Sequence, residues 1–411
     1  MEFTEARAHT PVCASTRVGY FTCQYAMHNG ITEGTGSANM DLDNMIYKWV
    51  QDQGYRTGHV GKFLNLYDTG IIPAPVGIDW WRQFPENGAY VNYEFEMCNG
   101  GSTVTISGIE QCEYIRDSFT QFINDGPEPW FITLCPTEPH TPFCADMENI
   151  DSFAHSEYLF EPVYETDVSD KPSWIQAQAN ITEDEKRLLA HYARLQMMEL
   201  AKVSRMIDGI MDVIDLNETI IIVSADNGLI YGEHRIFGSG VSKNDLYDSS
   251  ARVPLCIAGP GVDRGIAGEG IPLGTWPYLV LVAQDISRTV LDATGAVHGL
   301  PPNITDGTGL LAPSDTRLVA LFRRGGGGGG INPNPYTGWC LVDDAGVKLM
   351  RWEKVEPTDP DLLATDVYEM YFNGEGDDVD EHVNLAYLGG AYLDIRDFME
   401  NNLDNWIANP D

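Results

Sequence analysis

The chain has 411 residues, enough to bury one large core with or without a smaller appendage. Acidic side chains number 61 against 25 basic ones, a net charge of -36, which makes nucleic acid and anionic membranes poor partners. No run is long and apolar enough to cross a bilayer, and 43% hydrophobic content with 21% charge is ordinary for a folded globular protein.

The first thirteen residues, MEFTEARAHTPVC, contain no apolar leader core. Residues 40–53 set Met45, Ile46, Trp49 and Val50 on one helical face, and Gly54 ends that helix. Residues 113–124 repeat the pattern with Ile115, Phe119, Phe122 and Ile123. Thr182 with Glu185 forms a capping box that opens a long helix reaching about Asp212. Short apolar runs at 130–135, 219–225 and 253–258 read as buried strands. Helices alternating with such strands predict an α/β fold, a mostly parallel sheet with helices on both faces.

Beyond the glycine run at 325–330 the character changes. Strand candidates at 337–342, 347–352 and 367–372 and a closing helix at 393–406 predict a small antiparallel subdomain. The expected division is therefore 1–315 for the α/β unit and 316–411 for this subdomain. Eight cysteines in so long a chain do not make a disulfide scaffold, although Cys98 and Cys112 flank a Gly/Ser/Thr-rich stretch and are candidates for a bridge. Asn180, Asn217 and Asn303 stand in N-x-T sequons, which permit glycosylation in a secreted protein.

Sites in open α/β sheets lie beyond the carboxyl ends of the strands. The run after Tyr55 ends on Lys62, the 130–135 strand leads into Pro139-His140-Thr141-Pro142, and the 219–225 strand ends on Asp226-Asn227-Gly228. These ends offer a cation, an imidazole and hard oxygen ligands, a set suited to an anionic ester and to Ca²⁺ or Mg²⁺. Taken singly they have duller readings: a turn at Asp-Asn-Gly, a loop histidine, a solvated lysine. Cys13, four residues before Arg17, adds a potential nucleophile beside a cation, or else a buried structural thiol.

In this order the motifs resemble the sulfatase family of the alkaline-phosphatase superfamily, closest to its glucosamine-6-sulfatase and arylsulfatase branch. Pro11 to Arg17 is similar to the signature Cys-x-Pro-x-Arg, whose cysteine becomes formylglycine. Residues 54–65, GYRTGHVGKFLN, resemble the Gly-Tyr-x-Thr-x-x-x-Gly-Lys segment with its Leu-Asn ending. Pro139-His140-x-Pro142, Asp226-Asn227-Gly228 with Gly232-Glu233-His234-Arg235, and Lys243, Tyr247 and Arg252-Val253-Pro254 match further pieces. Tyr368-Glu369-Met370-Tyr371 and Asn384-Leu385-Ala386 complete the series.

The resemblance implies hydrolysis of sulfate esters of a carbohydrate or aryl alcohol by a formylglycine nucleophile at Cys13 and a divalent metal. Arg17, Lys62, His140 and Lys243 are the implied catalytic partners, Asp226 and Asn227 the ligands of Ca²⁺ (or Mg²⁺), and His234 an outer residue touching substrate. It also implies a formylglycine-generating enzyme as a partner and a secreted or lumenal location. Three departures stand out. Ser15 replaces the signature proline, Ile230 stands where many relatives have histidine, and the family's opening strand, which ends in two adjacent aspartates, is expected to be missing. The Asp343-Asp344 pair lies too far along the chain to replace it. The competing expectations are a phosphonate or phosphate ester hydrolase of the same superfamily and an inactive glycan-binding homologue.

Overall fold

The computed structural model describes residues 1–32, 40–65, 74–85, 94–99, 101–143, 164–237, 240–265, 279–300, 305–311, 318–323, 336–354, 367–372 and 381–408. The first ten strands are β1 (Glu2–Phe3), β2 (Glu5–Arg7), β3 (Arg56–Lys62), β4 (Trp80–Phe84), β5 (Glu94–Cys98), β6 (Thr103–Ser107), β7 (Trp130–Cys135), β8 (Ile221–Ser224), β9 (Leu255–Ala258) and β10 (Leu279–Leu281). Four more follow as β11 (Val319–Arg323), β12 (Tyr336–Val342), β13 (Val347–Lys354) and β14 (Val367–Phe372). The longer helices are α1 (Cys13–Thr22), α2 (Ile46–Gln51), α3 (Gln111–Asn124), α4 (Glu183–Met211), α5 (Val282–Thr294) and α6 (Ala391–Ala408).

The α/β class is borne out, with a sheet that is mixed rather than mostly parallel. In one half β3 is central and parallel to both β4 and β7, with Gly58 opposite Trp80 and Ile132. The pairing continues antiparallel through β5 to β6. In the other half β8 pairs antiparallel with β9, and β9 pairs antiparallel with β1. β2 extends that line and lies parallel to β10, with Val253 N–H donating to the Ala6 carbonyl to keep the ladder continuous.

Between the halves the ladder is interrupted. Among the described residues β7 pairs only with β3, and β8 only with β9, so each presents an open edge. All six residues of β7 and all four of β8 line one cavity of about 1180 Å³. Phe119 and Ile123 of α3 with Val203, Met206 and Ile210 of α4 supply one wall of this slot, and Tyr20 of α1 with Ile286 and Val290 of α5 another. Unpaired strand edges facing an apolar cavity are costly, because backbone N–H and C=O groups buried without partners are rare.

Helices follow local chemistry closely. The Thr182 side chain accepts from Glu185 N–H while the Glu185 carboxylate accepts from Thr182 N–H, the predicted capping box at the head of α4. α3 begins two residues earlier than expected and buries Ile115, Phe119 and Phe122. α2 begins only at Ile46, because Asp41 takes the Asp43 N–H on its side chain and Asn44 accepts from the Trp49 indole, so local polar bonds outcompete the first turn. Met45, Ile46, Trp49 and Val50 are nonetheless all buried.

The four strands β11 to β14 form a separate antiparallel sheet in that order. Its Ala320, Leu341, Leu349 and Met370 pack with Met399 and Leu403 of α6. The glycine run at 325–330 and Asn303 lie outside the described residues. Cys98 and Cys112 are buried thiols that are not bridged to each other. Asp343 shapes the β12–β13 turn by accepting from the N–H groups of Ala345 and Val347, and it does not line the cavity at the ends of β7 and β8.

Candidate active site

β3, β7 and β8 deliver their carboxyl ends to one place, where α1 begins. Cys13 is the first residue of α1, with Val12 extended before it, so the thiol sits at the helix N-terminus. Its Sγ lies 2.9 Å from Lys243 Nζ and 3.4 Å from Asn227 Oδ1. Lys243 Nζ also lies 3.2 Å from His140 Nε2. His140 Nδ1 is 2.5 Å from the Thr141 carbonyl oxygen, which calls for the proton on Nδ1 and leaves Nε2 to accept from Lys243.

Arg17, one turn along α1, spans two strand ends. Its Nε donates to Asp226 Oδ2 at 2.7 Å and its NH1 to the carbonyl of Lys62 at 2.8 Å. Lys62 is placed by Gly61, whose φ of +108° and whose approach to the Cys135 carbonyl leave no room for a side chain, since a Cβ there would stand 2.0 Å from that oxygen. β3 can therefore press against β7 at its very end.

The charges act on one another strongly. Burial and the Asp226 carboxylate both oppose ionisation of Cys13, yet the Lys243 and Lys62 cations, with His140 alongside, outweigh them and bring the thiol down to about 5. Burial likewise opposes ionisation of Asp226, and Arg17, Lys62 and Lys243 reverse the balance and hold its carboxyl well below the usual range. Three cations face one carboxylate here, so the pocket is prepared for an anion despite the acidity of the whole chain.

Seven of the eight residues singled out in the sequence thus line one cavity: Cys13, Arg17, Lys62, His140, Asp226, Asn227 and Lys243. His234 is not among its lining residues. It is buried, with Nδ1 2.6 Å from Glu165 and its ring stacked on Tyr247 at 4.0 Å, beside a second cavity of about 500 Å³. Two neighbours escaped the sequence reading. Tyr20 follows Arg17 by three residues on the same helical face, a spacing that could have revealed it, and its hydroxyl lies 3.5 Å from the Ala225 carbonyl. Cys135 ends β7 beside Arg17, and no local pattern marks it.

Asp226 and Asn227 are hard-oxygen donors of the kind Ca²⁺ takes, but such an ion gathers roughly six to eight oxygens. Among the described residues no group of three or more His, Cys, Asp and Glu side chains is arranged to hold a metal. The pair therefore fits as part of a ligand set, and the open slot ends directly beside it.

Comparison with known proteins agrees with this geometry. The Sulfatase family model matches residues 1–296. An arylsulfatase of Volvox carteri is 28% identical over 361 residues, covering 77% of this chain and 54% of the relative. The N-acetylglucosamine-6-sulfatase of Capra hircus is 23% identical over 339 residues, covering 76% and 57%. The chain thus spans a little over half the length of these two curated relatives. A solved structure of a protein in complex with its substrate D-glucosamine-2-N,6-O-disulfate superposes with a TM-score of 0.76 at 17% identity, covering 98% of this chain and 89% of the other. With the motifs in order, the strand ends converging on Cys13 and the family model spanning most of the sequence, this chain belongs to the sulfatase family.

Proposed function

We propose that this protein hydrolyses sulfate esters at the pocket around Cys13, with a sulfated sugar or an aryl sulfate as substrate. The observation that carries the reading is the convergence of Arg17, Lys62, Lys243 and His140 on the side chain of residue 13.

Lys62 and Lys243 neutralise sulfate oxygens as charge grows in the transition state, an arrangement effective because the cations are already in place. His140 and Lys243 share one hydrogen bond beside Cys13, so the pair holds a transferable proton where the leaving alcohol oxygen departs. Arg17 fixes residue 13 and Asp226 relative to each other. Asp226 and Asn227 would hold the divalent ion, Ca²⁺ by preference, which when bound supplies positive charge that acidifies the nucleophilic hydroxyl. His234 acts from outside the pocket, through its stacking on Tyr247.

The reading includes conversion of Cys13 to formylglycine by a generating enzyme, with Ser15 in the recognition segment, and a secreted or lumenal site of action in which the exposed Asn180 and Asn217 accept glycans. It also assigns the slot between β7 and β8 to a further parallel strand whose carboxyl end brings acidic ligands to Asp226 and Asn227. The open edges and the surplus of cations support that assignment. The likeness to arylsulfatases and N-acetylglucosamine-6-sulfatases supports the substrate class.

Mass-spectrometric mapping of the Cys13 peptide from the native protein, with turnover of 4-nitrophenyl sulfate against 4-nitrophenyl phosphate, tests the proposal. Formylglycine with preference for the sulfate is expected. An unmodified thiol in protein that turns over neither ester would leave an anion-binding homologue, and preference for phosphate would move the activity to the ester-hydrolase alternative.

A further inference from the structure

Lys243 reaches Cys13 from a loop whose shape is not self-supporting. The next residue, Asn244, has φ +62°, a left-handed conformation that non-glycine residues adopt only when held. It is held on both sides. Its N–H donates to the Pro11 carbonyl at 3.1 Å, tying it to the turn that leads into Cys13. Its carbonyl accepts from Arg323 Nε at 2.5 Å.

Arg323 is the last residue of β11, is 1% exposed, and also donates to the Tyr336 carbonyl on β12. Asp245 lies 3.8 Å from its Nε. The same strand grips the Cys13 side of the site. Phe322 N–H donates to the His9 carbonyl at 2.7 Å, and the Ala320 carbonyl lies 2.7 Å from His9 Nδ1. β11 therefore touches the chain four residues before Cys13 and one residue after Lys243. Behind it, Glu369 of β14 accepts from the Tyr247 hydroxyl and Lys348 of β13 donates to Asp248 at 2.8 Å, continuing the grip along the Lys243 segment.

We infer that the four-stranded sheet is a brace that sets the distance between Lys243 and residue 13, with Arg323 as its positioning residue. The inference deepens the functional reading above, on which the role of Lys243 rests. A fixed cation is worth more to a transition state than a wandering one, because no reorganisation is needed as charge develops. A guanidinium suits the task, since its planar fork presents N–H donors in fixed directions to the Asn244 and Tyr336 carbonyls, where a lysine offers a single freely rotating ammonium on a flexible stem.

The experiment needs no sulfatase turnover. In the full chain produced without the generating enzyme, Cys13 is a thiol, and its alkylation is followed by mass spectrometry of its own peptide. The ratio of rate constants for iodoacetate, an anion, and iodoacetamide, a neutral reagent, reads the cation's position independently of how much thiolate is present. Lys243→Met provides the reference, with a drop in that ratio of about tenfold expected from losing a close charge. Arg323→Met is expected to lower it by about threefold or more, with Arg323→Lys between that variant and wild type. Leu349→Ala, a core change in the same sheet, controls for loss of stability and is expected to leave the ratio unchanged.

If both Arg323 variants behave as Leu349→Ala does while Lys243→Met drops the ratio, the brace is overturned and the functional reading stands. If Lys243→Met itself leaves the ratio unchanged, the cation does not address residue 13, and both fall. Should Arg323→Met not fold, the Arg323→Lys comparison decides alone.

Discussion

Lys243 Nζ stands 2.9 Å from Cys13 Sγ across 230 residues of sequence, and the same ammonium lies 3.2 Å from His140 Nε2. One cation therefore faces both the residue proposed as nucleophile and the residue proposed for proton transfer. Replacing it with alanine is expected to lower kcat/KM for 4-nitrophenyl sulfate by about 100-fold or more, the scale of losing one preorganised charge. The loss should fall mainly on kcat, since the charge matters most when sulfate oxygens gain electron density. Steady-state kinetics of Lys243→Ala would check this, and a change confined to KM would reduce Lys243 to a binding role.

Gly61 sets the neighbouring cation. Its φ of +108° and its contact with the Cys135 carbonyl mean that Gly61→Ala must separate β3 from β7 where Lys62 enters the pocket. Gly54, also left-handed at +89°, has no atom within 4 Å of where an added methyl would stand, so Gly54→Ala meets backbone strain alone. Thermal denaturation should show about 1 kcal/mol lost at Gly54 and roughly 3 kcal/mol or more at Gly61. Equal losses would mean the end of β7 yields easily.

How far these features could be read in the sequence depended on whether their cause was local. The Thr182–Glu185 box and the buried face of α3 are set within a few residues, and both were legible. α2 was overextended because apolar spacing hides the turn-forming bonds of Asp41 and Asn44. β1 and β2 have two and three residues, too few to show any period. Within the site, Lys62, His140 and Asp226 were legible as strand ends. The Arg323–Asn244 bond was not, because a side chain meets a backbone carbonyl 79 residues away and leaves no pattern.

His59 gives the fold a pH dependence. Its ring is wholly buried among Phe21, Phe63 and Trp81, with Nδ1 2.9 Å from the Tyr47 hydroxyl. Burial, with the nearby Arg17 charge, lowers its pKa from 6.5 to about 3. The unfolded chain thus binds a proton that the folded chain refuses, so this contribution is fully present above pH 6.5 and is lost as pH falls toward about 3. Melting temperatures of His59→Phe and wild type between pH 4 and 7 would check the sign. The variant should show the shallower acid decline, and parallel curves would place the proton elsewhere.

The slot between β7 and β8 makes the most demanding prediction. Both edges run toward Cys13, and residues on β7, α3, α4 and α5 face the space between them. A strand buried on both faces should be a continuous apolar run, rich in β-branched residues, and its end should be acidic to meet Arg17, Lys62 and Lys243. A synthetic peptide of about six such residues followed by two aspartates should bind the 411-residue chain, with saturation at 100 times its Kd adding roughly 2.7 kcal/mol of stability. Hydrogen exchange supplies the local readout, because a strand pairing with both edges protects amides on β7 and β8 together. Protection on one strand alone would indicate edge binding without insertion. A scrambled peptide that protects equally well would show that the cavity takes up any apolar chain, and the assignment of the slot to a specific parallel strand would fall.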